Sequence, residues 1–92
     1  MANFSNEIDI FNQKTELKKS RTKDTRERLL KLKFKKAEPE VRLKYAKNHT
    51  ERHDFLIIIN KIEEDIKEII LEITEIEKQC EIDIVRRHIT QQ

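Results

Sequence analysis

The chain has 92 residues, 41% of them charged and 36% apolar, with a net charge of +2. That length allows one small domain. Glycine is absent and Pro39 is the only proline, so tight β-hairpins and glycine helix caps are poorly served, glycine-built phosphate loops are excluded, and long helices are the expected form.

A single cysteine, Cys80, rules out an internal disulfide framework. The opening MANFSNEIDIF has acids and no basic-then-apolar order, unlike a signal or transit peptide. The longest apolar run, Phe55 to Ile59, is five residues and far too short for a membrane span. Sequons at Asn3 and Asn48 are read as chance matches, and an intracellular place, cytoplasm or cytoskeleton, is expected. The small net charge hides an asymmetry. Residues 14–36 carry eleven Lys or Arg against three acids, a net +8, and residues 54–92 carry a net −5.

In chain order, Phe4, Ile8 and Phe11 mark one stripe of a first helix, with Asn3 or Ser5 as its cap. Residues 12–28 follow with Leu17 as their only apolar side chain, too few to pack a core by themselves. Leu29, Leu30, Leu32 and Phe34 have no partner strand in view and are read as helix. Pro39 is expected to break the chain, ending one helix near Lys36 and starting another near Glu38. Asn48 with Glu51 three residues on has the form of a capping pair, which marks either a further helix start or a point within a continuous helix.

From Phe55 the apolar residues fall at 55, 59, 62, 66, 69, 73, 76 and 80, in alternating steps of four and three. That is a heptad repeat. Ile59, Ile66, Ile73 and Cys80 take position a, and Phe55, Ile62, Ile69 and Ile76 take position d. The next d is Asp83, and the pattern resumes displaced at Ile84. The flanks Glu63, Asp65, Glu72 and Glu77 are acidic, which disfavours self-pairing of this helix in parallel. Ile57, Leu71 and Val85 recur on the face opposite the seam, and Ile82, Val85 and Ile89 make a stripe of their own. A helix apolar on two faces is usually buried on two sides. The front half could fold back and pair its cations with the acidic flanks. Lacking apolar residues, it is not expected to cover the isoleucines, so the seam is assigned to another chain, more readily a different protein than a copy.

The expected fold class is all-α: elongated helices with a break near Pro39 and a long coiled-coil-like C-terminal helix. Residues 1–36 are expected to form a basic docking segment, helical or partly disordered, and residues 37–92 a long amphipathic helix with its heptad core at 55–84. No cofactor is expected. His49 and His53 share a helix face, but Glu51 stands one place too late for a zinc-protease motif, and Cys80 and His88 are too distant to complete a site. Cys80 reads as a small apolar core residue. No nucleophile is paired with a base, so no enzymatic activity is expected.

The basic block offers Lys14, Lys18, Lys19, Arg21, Lys23, Arg26, Arg28, Lys31, Lys33, Lys35 and Lys36 to an acidic surface. A basic segment ahead of a zipper is the order seen in bZIP factors. There the basic region runs unbroken into the zipper, whereas here Pro39 and about twenty residues intervene, and the family's Asn and paired-Ala signature is missing. The expected function is a non-enzymatic helical subunit of a larger assembly. Small proteins that line or decorate microtubules are similar in composition: little core, long helices, and basic stretches on an acidic lattice. The alternatives are a nucleic-acid-binding coiled-coil dimer and a homo-oligomeric adaptor.

Overall fold

The computed structural model describes residues 2–90, with side chains from Glu7 onward. It contains two α-helices, α1 (Ala2–Lys44) and α2 (His49–Thr90), folded into an antiparallel hairpin. The molecule measures 67 × 19 × 18 Å and has a radius of gyration of 20.4 Å. A compact chain of this length would have a radius of about 12 Å. The fold is therefore an elongated all-α rod, as the composition implies.

The interruption falls at residues 45–48 and not at 36–38. α1 passes through Pro39 and ends at Lys44. A proline inside a helix removes one backbone bond and crowds the preceding turn. Here its ring is buried and turned towards α2, in a groove shared with Phe55, Ile58 and Ile62. Two ion pairs one turn apart, Lys36–Glu40 at 3.3 Å and Glu38–Arg42 at 2.7 Å, span the same stretch. Packing and local pairing together carry the helix past its proline.

The actual end is built from backbone bonds and one cap. The amides of Tyr45 and Ala46 donate to the carbonyls of Arg42 and Leu43, tightening the last turn. Asn48 then caps α2: its Oδ1 accepts from the Glu51 amide at 2.8 Å, and the Glu51 carboxylate accepts from the Lys47 amide at 3.3 Å. The Asn48–Glu51 pair thus marks a helix start. Among the described residues none has a positive φ, so the reversal is made without the conformation that glycine supplies. At the other end α1 begins at Ala2, ahead of the cap expected at Asn3 or Ser5. The side chain of Phe4 lies outside the described residues.

The heptad of α2 is the seam of the hairpin. Ile59, Ile62, Ile69 and Cys80 are buried, and Phe55, Ile66, Ile73 and Ile76 are half-buried. Ile84 is 1% exposed while Asp83 lies at the edge, so the displaced continuation is real. The cover for this seam comes from the same chain, contrary to the expectation of another one. α1 presents Lys18, Thr22, Thr25, Leu29, Leu32, Lys36, Pro39 and Leu43, all buried or half-buried, in the same alternating steps. The Thr22 hydroxyl donates to the Lys18 carbonyl at 2.6 Å and accepts from Arg26 Nε at 3.1 Å. Its polar needs are met within α1, leaving its methyl group for the seam. Lys18 and Lys36 contribute their aliphatic stems and keep their ammonium groups at the edge.

Candidate functional site

The two long edges of the hairpin carry its chemistry. Where α1 meets α2, cations of α1 stand against acids of α2. Lys18 reaches Glu81 at 2.9 Å and Arg21 reaches Asp83 at 2.7 Å near the open end. Arg28 reaches Glu72 at 3.5 Å and Lys36 reaches Glu63 at 3.7 Å nearer the turn. The hydrogen bond from Lys18 lowers the Glu81 pKa, and the bonds from Arg21 and then Gln79 lower that of Asp83. The same two contacts raise the pKa values of Lys18 and Arg21. Arg21 Nη1 also lies 3.9 Å from Cys80 Sγ, closing over the fully buried thiol.

This ladder divides the basic block. Lys18, Arg21, Arg28 and Lys36 are engaged within the hairpin. Lys14 is close enough to Glu81 to help depress its pKa. Arg26 is tied to its own helix through Thr22 and the Lys19 carbonyl. Lys19, Lys23, Lys31, Lys33 and Lys35 are exposed and hold no ion pair among the described residues. These five are the cations left for an external partner.

The apolar residues outside the seam form two outer strips. On α2, Ile57, Leu71, Ile82, Val85 and Ile89 are all exposed, with Leu71 at 65% and Ile89 at 66%. Leu56, Ile58 and Ile70 are also exposed beside the seam. On α1, Leu30, Phe34 and Val41 are 55%, 72% and 55% exposed, with Ala37 exposed between them. Their steps of four, three and four make a second, shorter heptad on the back of α1. In the sequence this strip is masked by Leu29 and Leu32, which belong to the inner seam and interleave with it.

Other candidate chemistry is sparse. Among the described residues no group of three His, Cys, Asp or Glu side chains is placed to hold a metal ion. His49 and His53 are exposed on the first turns of α2. Among the described residues no helix is long and apolar enough to cross a membrane. Compared with known proteins, the chain matches no family model, no curated protein and no solved structure.

Proposed function

We propose that the protein is a non-enzymatic helical interaction subunit, a stiff hairpin that docks on other protein chains through its outer edges. The observation that carries this reading is the surplus of apolar surface. The inner seam is already closed, yet Leu30, Phe34 and Val41 on α1 and Ile57 and Leu71 on α2 remain more than half exposed. Runs of large apolar side chains on a small chain mark surfaces meant to be covered. Lys19, Lys23, Lys31, Lys33 and Lys35, exposed and without an ion pair among the described residues, add a preference for an acidic partner surface. The expected bias against self-association rested on the acidic flanks of the α2 seam; α1 now closes that seam, and two of the flanks, Glu63 and Glu72, are paired with Lys36 and Arg28. That argument therefore no longer separates a copy from a different protein.

A photo-crosslinking residue at position 71 or 34 of the full chain tests the reading in the cells that make it. Protein adducts are expected from both positions and not from the exposed polar position 24. An absence of adducts at both would remove the docking role. A cytoskeletal version, with the lysines set on an acidic lattice, predicts salt-sensitive cosedimentation with microtubules. Failure to cosediment at low salt would remove that version alone.

A further inference from the structure

The strip on the back of α1 is complementary to itself. We propose that its occupant is a second copy of this chain, packed antiparallel along α1 about a twofold axis that passes between residues 35 and 36. This deepens the docking reading by naming one partner for one edge.

Three observations converge on it. The strip is short, apolar and heptad-spaced, as a two-stranded seam requires. In the antiparallel arrangement Leu30 of one copy meets Val41 of the other, and Phe34 meets Ala37, so that the large ring lies against the small side chain. The charges follow the same symmetry. Lys33 stands opposite Glu40 of the second copy on one side, and Lys31 opposite Glu38 on the other. The twofold repeats each pair. At the borders of the overlap Glu27 faces Lys44. In antiparallel coiled coils the flanking positions select the partner by charge, and here every flanking contact joins opposite signs.

The surface area asks for such a cover. The chain exposes 7734 Å², whereas a compact monomer of 11.2 kDa would expose about 5,700 Å². α1 is also the edge that can pair this way without disturbing the hairpin. Leu30, Phe34 and Val41 point away from α2, and Lys31 and Lys33 are unpaired among the described residues. Among the described residues the ion pairs of Glu38 and Glu40 lie within α1, to Arg42 and Lys36.

The test is the mass of the full chain by light scattering after size exclusion, with helix content measured on the same samples. The expected mass is twice 11.2 kDa. Two charge-reversed variants follow, one with Lys31→Glu and Lys33→Glu, the other with Glu38→Lys and Glu40→Lys. Each alone places like charges across the axis and is expected to weaken dimerisation on the order of tenfold or more. Mixed in equal amounts, the two restore opposite charges at every contact and should dimerise again. A wild-type chain that is helical and monomeric overturns the proposal, as does a dimer indifferent to both variants or a mixture that fails to recover. Glu38→Lys and Glu40→Lys also break the pairs with Arg42 and Lys36 inside α1, so where helix content falls in that variant, the Lys31→Glu, Lys33→Glu variant, which breaks no ion pair among the described residues, decides. A monomeric wild type would leave the crosslinking test of a different protein partner intact, so the two readings fail separately.

Discussion

Thr22 shows how a polar residue comes to sit in an apolar seam. It is 4% exposed, and its hydroxyl is satisfied by the Lys18 carbonyl on its own helix. The methyl group is then what α2 meets. Thr22→Ser keeps the hydroxyl and removes the methyl, which should cost about 1 kcal/mol in a thermal or urea melt. Thr22→Val should change stability less than that, and a larger loss with valine than with serine would show the hydroxyl to be the group that matters. Asp83 is the complementary case, an acid at a heptad core position. The seam rotates past it to Ile84, and Arg21 holds it at the edge. Its pKa and that of Glu81 are lowered on folding by hydrogen bonds from Arg21 and Lys18 respectively. A depressed carboxylate pKa stabilises the fold above the unfolded value, and the stabilisation is lost as the pH falls through the folded value. The open end should therefore loosen in acid, below the ordinary carboxylate range. Amide exchange should reveal it first around residues 77–88, while residues near 60 stay protected. Equal loosening at both places would exclude these two pairs as its cause.

At the scale of the element, each helix has two faces and the sequence discloses them unequally. The α2 seam is legible because isoleucine is unambiguous and its spacing runs without a gap from residue 59 to residue 76. The matching α1 seam is not, since Thr22, Thr25, Lys18, Lys36 and Pro39 all count as polar or helix-breaking by type. Their methyl groups, stems and ring serve as apolar contact only once α2 lies alongside. The outer α1 strip carries a usable signal in the spacing of 30, 34, 37 and 41, concealed by the neighbouring seam. The hairpin turn is half legible: Asn48 and Glu51 offer a helix start as one of two readings, and the structure takes it, whereas proline points to a stop that packing overrides. Pro39→Ala should raise stability by about 1 kcal/mol, a gain of about 3 kcal/mol from the restored helix less the lost burial of the ring. A fall in melting temperature would mean that the ring's packing outweighs the backbone defect. Asn48→Ala should cost about 0.5–2 kcal/mol through the lost cap. In the seam itself, Ile69→Ala should cost about 2–5 kcal/mol. Leu71→Ala, on the outer face of the same helix, should leave the isolated hairpin nearly unchanged. Comparable losses at 69 and 71 would mean that the outer strip is already covered.

The whole molecule is a rod in which a net-basic helix and a net-acidic helix are joined along a narrow apolar line. Its length of 67 Å is set by helices of 43 and 42 residues. If two rods pair along the turn-proximal part of α1, they overlap over only about 30 Å and extend in opposite directions, giving a particle about 100 Å long. Solution scattering would distinguish this from two hairpins stacked over their full length, whose maximum dimension would stay near 67 Å. The hydrophilic seam of α1 has a consequence for how the chain is made. Translation delivers α1 first, and its inner seam of threonines and lysines adds little apolar surface while it waits unfolded. The isoleucine-rich α2, by far the stickier segment, emerges from the ribosome when its cover is already outside and within reach of a four-residue turn. The order of the two helices thus shortens the interval in which the nascent chain exposes the surface most prone to misassociation.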